Sequence, residues 1–176
     1  MTEILDILIP EERLQARVAE LSQAIDKDYA GAGLSLVVVL KGAVIFAADL
    51  MRHITIPFTV EFASASSYGQ STRSSGTVAL AGFERLAMAG QQVLVIEDIL
   101  DTGATARALV QALHGKGAAD VAVVPLLRKP AARTLDLPVP HVGFDIEDDF
   151  VVGYGMDFAE RYRNLRDIYR LSFGPD

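Results

Sequence analysis

Apolar residues are arranged in two kinds of pattern that take turns along the chain. One is a nearly continuous apolar run, and the other is apolar residues at helical spacing. The runs at 34–40 (LSLVVVL), 93–97 and 121–127 are typical of strands that are covered on both faces of a sheet. A further strand is predicted at 56–65. Pro125 cannot donate a hydrogen bond to a neighbouring strand, so we expect a strand end or an irregularity there.

Helical spacing of apolar residues occurs between these runs. The first helix begins at Pro10 and ends at the glycines of 31–33, and the second follows Gly42. The third runs from about Gly103 to Gly115. The residues at helical spacing are Leu14, Val18, Leu21 and Ile25, then Val44, Ala47, Ala48 and Met51, then Ala106, Leu109, Val110 and Leu113. Strands that alternate with helices indicate an α/β fold with a mainly parallel, twisted sheet flanked by helices, whose ligands bind beyond the carboxyl ends of the strands.

Two segments depart from these patterns. Residues 66–76 (SSYGQSTRSSG) are rich in Ser and Gly and are predicted to form a mobile loop. Residues 139–173 are strand-like and loop-like, with a short helical stretch near 158–164. Since no repeat or linker divides the chain, we predict a single domain over 1–176.

Composition narrows the possible functions. The net charge of −7 argues against nonspecific nucleic-acid binding, but it permits a phosphorylated substrate because Mg²⁺ can supply positive charge locally. The chain has no cysteine, which excludes disulfides, a thiolate nucleophile and a cysteine-based zinc site. The histidines share no metal-ligand spacing and are interpreted as structural or surface residues; they are His53, His114 and His141.

The distribution of charged and apolar residues also indicates where the protein acts in the cell. The first residues include Glu3 and Asp6 and lack the basic and apolar regions of a signal peptide. The most apolar window, 34–51, is interrupted by Lys41 and Asp49 and is too broken to span a membrane. We therefore expect a cytoplasmic protein without membrane association.

The stretch VLVIEDILDTGAT at 93–105 carries the most specific chemistry. It places Glu97 and Asp98 at the end of a buried strand and Asp101 to Thr105 in a turn at a helix start. Backbone N–H groups and the helix dipole bind phosphate at such a turn, and the carboxylates can hold a metal or ribose hydroxyls. The alternative is a capped helix, with Asp101 or Thr102 as N-cap and the other carboxylates solvated. We favour the phosphate site because the full motif is much rarer than a cap.

This stretch resembles the phosphoribosyl-pyrophosphate (PRPP) signature of the type I phosphoribosyltransferases. Residues 37–54 (VVVLKGAVIFAADLMRHI), 66–69 (SSYG) and 142–165 (VGFDIEDDFVVGYGMDFAERYRNL) are similar to the hypoxanthine-guanine branch. The resemblance implies a small hood formed by terminal segments. It also implies purine salvage by Mg²⁺-dependent transfer of phosphoribose from PRPP to hypoxanthine or guanine, giving IMP or GMP and pyrophosphate.

The resemblance assigns PRPP contacts. The implied 5′-phosphate cradle is Asp101, Thr102, Gly103, Ala104 and Thr105. Glu97 and Asp98 are expected to face the ribose hydroxyls and the metal, and Asp101 also matches the catalytic acid/base near purine N7. Some relatives carry a larger residue at Ala104, which we expect to affect affinity only.

The remaining PRPP contacts lie in other segments. Lys41, Gly42 and Arg163 match pyrophosphate contacts, although Lys41-Gly42 alone would suggest an ordinary strand-to-helix turn. Ser67 and Tyr68 match the tip of a lid over the reacting centre, although alone they would suggest a surface loop.

Purine contacts are implied in the same way. Lys129 matches the lysine that donates to the 6-oxo group, which favours hypoxanthine and guanine over adenine. Phe150 matches the aromatic that stacks on the base, and the backbone of Val151 reads its other edge. Asp157 matches a purine-side residue that also binds a second Mg²⁺. Without the resemblance, Lys129 suggests an exposed lysine and Phe150 a core residue.

Two alternatives remain open. A nucleotide-sensing regulator of the same fold that binds RNA would need a basic face, whereas the chain has 16 basic against 23 acidic residues. The other is an enzyme of the same fold for another base, such as xanthine or adenine. Lys129 disfavours adenine, whereas the use of xanthine depends on geometry around the purine 2-position. The resemblance suggests a homodimer or homotetramer and assigns no residue to the contact.

Overall fold

Strands and helices alternate along most of the chain in the computed structural model, which describes residues 2–67, 78–81 and 88–174. In chain order the elements are β1 (Thr2–Ile9), α1 (Glu11–Asp28), β2 (Leu34–Leu40), α2 (Val44–His53), β3 (Phe58–Ser67), β4 (Val78–Ala81), β5 (Gln92–Leu100), α3 (Ala104–Gly115), β6 (Asp120–Arg128), a 3₁₀ helix (Pro130–Thr134), β7 (Phe144–Asp145), β8 (Val151–Val152) and β9 (Ile168–Gly174). No helix within the described ranges is long and apolar enough to cross a membrane.

The larger sheet has the strand order β4-β3-β2-β5-β6-β7. All of its neighbouring strands run parallel except β3 and β4. Leu36 and Val38 of β2 pack with α1 and α2, whereas Val37 and Val39 pack with α3 on the other face. Because β2 is buried on both faces, its sequence is almost uniformly apolar. The prediction of a mainly parallel sheet flanked by helices is confirmed.

A second sheet joins the two terminal regions. β1 pairs antiparallel with β9, with Thr2 opposite Gly174, and β8 pairs with the other side of β9. The sequence did not predict β1 as a strand. The terminal segments therefore form a layer of their own, and its role as a hood over a substrate stays a prediction.

The helices follow the apolar spacing with one difference. The α1 stripe is fully buried, namely Leu14, Val18, Leu21 and Ile25, and Pro10 is the N-cap of that helix. In α3, Ala106, Leu109 and Leu113 are buried, and Val110 is partly buried. The buried face of α2 is Phe46, Ala47 and Leu50, while Val44 and Ala48 are exposed.

The predicted helical stretch near 158–164 is wrong. Phe158 and Arg161 pair in an isolated antiparallel bridge. Ala159, Glu160 and Tyr162 have positive φ values of 51°, 61° and 78°, which a right-handed helix does not allow.

The predicted loop at 66–76 begins later than expected. Residues 66 and 67 are the last residues of β3 and pair with Ala79 and Val78 of β4. Residues 68–76, with Tyr68 and the predicted lid, lie outside the described residues.

Candidate active site

A cavity of about 310 Å³ lies where the carboxyl ends of β5 and β6 meet the segment around β8. Its lining residues are Asp98, Ile99, Asp101, Lys129, Asp149, Phe150, Val151, Met156 and Asp157. Six of them were assigned to the site from the sequence: Asp98, Asp101, Lys129, Phe150, Val151 and Asp157. The structure thus brings together residues from two strand ends and a distant C-terminal segment.

The strand β6 continues past Pro125 to Arg128. The β5–β6 register is the same on both sides of this residue, with Glu97 opposite Pro125 and Ile99 opposite Leu127. Pro125 therefore neither ends the strand nor shifts its register, contrary to the expectation from the sequence. Asp98, between these two pairs, is the first residue of β5 that lines the cavity.

Glu97 and Asp98 occupy different environments. Glu97 is 6% exposed, and its Oε2 has no hydrogen-bond partner among the described residues. Burial, with a contribution from the neighbouring Asp98, raises the pKa of Glu97 to about 8. Burial also raises the pKa of Asp98, while Arg163 acts in the opposite direction. Glu97 therefore keeps a buried oxygen that no group in the described ranges satisfies.

The turn before α3 is built around Gly103. Gly103 has φ 73° and is the N-cap of α3, and no side chain caps the helix. The interpretation of Asp101 or Thr102 as a side-chain cap is therefore wrong. Both of those residues are exposed, as is Ala104, and Thr105 is half-buried. The helix start consequently presents uncapped backbone N–H groups to a ligand.

The turn between β2 and α2 packs against the same region. The peptide bond between Leu40 and Lys41 is cis. A Cβ atom at Gly42 would lie 1.7 Å from Asp98 Oδ2, so a larger residue there would displace the Asp98 carboxylate. The Lys41 side chain is exposed and pairs with Glu160 at 3.2 Å.

Arg163 and Asp157 bind each other beside this turn. Arg163 Nη2 lies 2.6 Å from Asp157 Oδ1, and Nη1 donates to the carbonyl oxygen of Gly155 at 2.8 Å. The other Asp157 oxygen accepts from the backbone N–H of Glu160. Both predicted site residues are therefore held in place before a ligand arrives.

Lys129 lies at the end of the cavity near β6. Its side chain is 13% exposed, so it is not the solvated surface lysine that its position alone suggests. Its Nζ is 3.1 Å from Asp148 Oδ1 and 3.7 Å from Asp101 Oδ2. Its backbone N–H donates to the carbonyl oxygen of Leu100, which ties the strand ends together.

Phe150 and Val151 form the opposite wall. Phe150 is 52% exposed, so it is not a core residue, and it meets Phe158 edge-on at 5.7 Å between ring centroids. Val151 is buried in β8. Ser67 is the last residue of β3.

Sequence reasoning missed several residues around the cavity. Asp149 and Met156 line it, and Asp149 is held by Arg170 through contacts of 2.8 and 2.9 Å. Gly155 has φ 103°, and a Cβ there would lie 2.2 Å from the Gly42 carbonyl oxygen. The two closely spaced glycines in VVGYG were the signal that this backbone needs positive φ values.

Comparisons with known proteins agree with this geometry. The family model "Phosphoribosyl transferase domain" matches residues 6–159. The hypoxanthine-guanine phosphoribosyltransferase of Mycobacterium avium is 44% identical over 175 residues, covering 96% of this chain and 86% of that protein. The enzyme of the same name from Bacillus subtilis is 42% identical, covering 93% and 91%. A crystal structure of a hypoxanthine-guanine phosphoribosyltransferase from Bacillus anthracis, with HEPES in its active site, has a TM-score of 0.88 and 40% identity, covering 98% and 100%.

Proposed function

The chain belongs to the phosphoribosyl transferase family, and we propose that it is a purine-salvage enzyme that transfers phosphoribose from PRPP to hypoxanthine or guanine. The products are IMP or GMP and pyrophosphate. The main support for this proposal is that Asp101, Lys129 and Phe150 line one cavity beside the Gly103 turn. The curated relatives with this activity in their names span nearly the whole chain.

The Gly103 turn is the proposed 5′-phosphate site. Its uncapped N–H groups and the dipole of α3 favour an anion at this position. Because backbone groups from Asp101 to Thr105 supply the contacts, Ala104 needs no polar side chain. The unpartnered Oε2 of Glu97 lies nearby in sequence and is suited to a ribose hydroxyl.

Lys129 and Phe150 are the proposed determinants of the base. Phe150 offers an exposed ring on which a purine can stack, with the backbone of Val151 beside it. The Lys129 ammonium group donates to a 6-oxo oxygen but cannot accept from the 6-amino group of adenine. Xanthine also carries a 6-oxo group and would accept the same hydrogen bond.

Asp101 is the proposed acid/base. Purine O6 and N7 are neighbouring atoms, and Asp101 lies 3.7 Å from Lys129 Nζ, so both side chains can reach one edge of the same base. Purine N9 forms the new bond to C1′ while the bond from C1′ to pyrophosphate breaks. Asp101 accepts the proton that leaves N7, so the purine ring of the nucleotide product carries no charge.

Magnesium is the proposed cofactor. The structure contains no group of three or more His, Asp or Glu side chains placed to bind a metal within its described ranges. Mg²⁺ typically uses one or two carboxylates and completes its shell with water and substrate phosphates, which fits one ion held by Glu97 and Asp98 with PRPP and a second held by Asp157. The ion would neutralise charge on the departing pyrophosphate. Lys41, Gly42 and Arg163 are proposed to hold the same pyrophosphate.

Three further features are proposed from the family resemblance. The segment with Ser67 and Tyr68 would close over the reacting centre and limit hydrolysis of PRPP. The enzyme would act in the cytoplasm without nucleic-acid partners. It would assemble as a homodimer or homotetramer.

One assay tests the proposed function. The purified protein is mixed with PRPP, Mg²⁺ and, separately, hypoxanthine, guanine, xanthine or adenine, and nucleotide formation is followed by chromatography. We expect IMP and GMP, and little or no AMP. Reactions without PRPP are the control, and the absence of product from both hypoxanthine and guanine would refute the proposal.

A further inference from the structure

Asp49 and Tyr154 form a buried polar contact next to the site but outside its cavity lining. The Tyr154 hydroxyl donates to Asp49 Oδ2 at 2.6 Å, and Gln15 Nε2 donates to the same oxygen at 2.8 Å. The contact therefore ties α1 and α2 to the segment after β8. Burial, together with the hydrogen bond to Asp49, raises the pKa of Tyr154, so the hydroxyl keeps its proton and remains a donor.

The residue after Tyr154 touches both sides of the proposed pyrophosphate site. Gly155 packs so closely on the Gly42 carbonyl oxygen that a Cβ would lie 2.2 Å away. Its N–H donates to the Arg163 carbonyl oxygen at 3.0 Å, and its own carbonyl oxygen accepts from Arg163 Nη1 at 2.8 Å. A shift of Gly155 would consequently displace both Gly42 and Arg163.

We infer that Asp49 and Tyr154 are positioning residues that hold Gly155 against Gly42 and Arg163, and thereby set the enzyme's affinity for the pyrophosphate group. The inference rests on the proposed function for its kinetic consequences. Tyr154 itself has φ 50°, so its backbone lies in a region that L residues rarely adopt. The hydrogen bond from its side chain to α2 anchors that conformation.

A purely structural role would have a different signature. If the contact only stabilised the packing of α1 on α2, its loss would lower the melting temperature and affect both substrates alike. A positioning role acts on the pyrophosphate side, because Lys129 and Phe150 contact neither Asp49 nor Tyr154 through a described hydrogen bond. The two roles are separated by comparing PRPP with the purine.

The test uses four single variants of the whole chain and the double variant that combines Tyr154→Phe with Asp49→Leu. Tyr154→Phe removes only the hydroxyl, and Asp49→Leu removes the acceptor. Asp49→Asn retains an oxygen that can accept from Tyr154 and Gln15, so it is the conservative variant. Tyr169→Phe is the matched control, because it removes another tyrosine–aspartate hydrogen bond, of 2.9 Å to Asp167.

Steady-state kinetics and calorimetry with magnesium pyrophosphate provide the measurements. For Tyr154→Phe and Asp49→Leu we expect the KM for PRPP and the Kd for pyrophosphate to rise about five- to tenfold. This is less than the roughly 10–100-fold scale of a directly lost hydrogen bond to a charged group, because the contact acts on the site through Gly155. The KM for hypoxanthine should change less than about twofold, and the double variant should be no worse than either single one because the two side chains act as a unit. Asp49→Asn and Tyr169→Phe should resemble the wild type.

Two results would overturn the inference. One is a Tyr154→Phe enzyme whose pyrophosphate affinity stays within twofold of the wild type. The other is an equal loss of affinity for PRPP and hypoxanthine, which identifies a structural role. Failure of the proposed function is a separate outcome, since it would appear as a wild-type protein without activity, whereas pyrophosphate binding is measured without turnover.

Discussion

Gly42 faces the carboxylate of Asp98 so closely that a methyl group at position 42 would lie 1.7 Å from Asp98 Oδ2. The turn after β2 therefore leaves no room for a larger side chain at this point unless the Asp98 carboxylate moves. Since Asp98 lines the cavity, the fit between two neighbouring strands directly sets the shape of the proposed site.

Gly42→Ala should therefore impair both stability and turnover. Overpacking of this kind costs about 1–3 kcal/mol of folding free energy, and displacement of Asp98 by a comparable amount should lower kcat/KM roughly 5–150-fold. Gly115→Ala is the matched control, because a Cβ there meets no atom within 4 Å. Thermal denaturation and steady-state assays provide the comparison; wild-type behaviour of Gly42→Ala would contradict the close fit.

Asp101→Asn should reduce turnover while leaving PRPP binding largely intact. The amide keeps the size of the side chain but cannot accept the N7 proton, and loss of a general acid/base typically costs about 10²–10⁴-fold in rate. Asp120→Asn, at the opposite end of β6, is the control. Calorimetry with PRPP and single-turnover kinetics separate the two effects, and a loss of binding without a loss of kcat would refute the acid/base role.

Lys129→Met should weaken use of the 6-oxo purines. Removal of the charged donor should lower kcat/KM for hypoxanthine and guanine by roughly 10–100-fold, the scale of one hydrogen bond to a charged group. Any activity with adenine should not fall further. Lys27→Met, in the last turn of α1, serves as control. A variant with unchanged preference among the bases would show that Lys129 does not read the 6-position.

Magnesium should bind mainly together with its substrate. In the described structure no three acidic or histidine side chains form a metal site, so Mg²⁺ alone should hardly change the melting temperature. Mg²⁺ with pyrophosphate should raise it clearly, through binding to the native state. EDTA should abolish turnover and excess Mg²⁺ should restore it. Full activity in EDTA would be incompatible with the proposed cofactor.

The ion pair between Arg128 and Asp145 should make stability depend on acidic pH. The Arg128 guanidinium bonds both Asp145 oxygens, at 2.7 and 3.0 Å, and this hydrogen bonding lowers the pKa of Asp145. Its contribution is therefore present at neutral pH and lost as pH falls below the ordinary aspartate range. Because Asp145 is 45% exposed, solvent screening limits it to less than about 1 kcal/mol.

Asp145→Asn should accordingly lower stability in urea at pH 7, and the difference from the wild type should be smaller at pH 3. Asp136→Asn, which changes another exposed carboxylate, is the control. An equal difference at both pH values would mean that packing, and not charge, accounts for the effect.

Local periodicity predicted most of the main sheet and its helices. The stripe in α1 and the run in β2 are local signals, and burial imposes them directly on the sequence. β1 was missed because its partner β9 lies at the other end of the chain. The false helix near 158–164 followed from side-chain spacing, which does not reveal positive φ values at Ala159 and Glu160.

The candidate site was likewise predicted only in part. Motif residues such as Asp101 and Lys129 were predicted because their types and positions match a known signature, and they do line one cavity. The Asp49–Tyr154 contact and the packing of Gly155 on Gly42 were not predicted. Both depend on how separate segments meet in three dimensions, and no single stretch of sequence encodes that meeting.

The second sheet has a consequence for the order in which parts of the molecule lose structure. Glu3 of β1 hydrogen-bonds to Arg161, 158 positions away, so closing this sheet requires one of the longest loops in the chain. The backbone amides of β1 and β9 should exchange with solvent deuterium before those of β2 and β5, which lie inside the larger sheet. Since β8 belongs to the same layer and carries Val151, we expect the wall proposed to receive the purine to open while the turn proposed to bind phosphate stays folded.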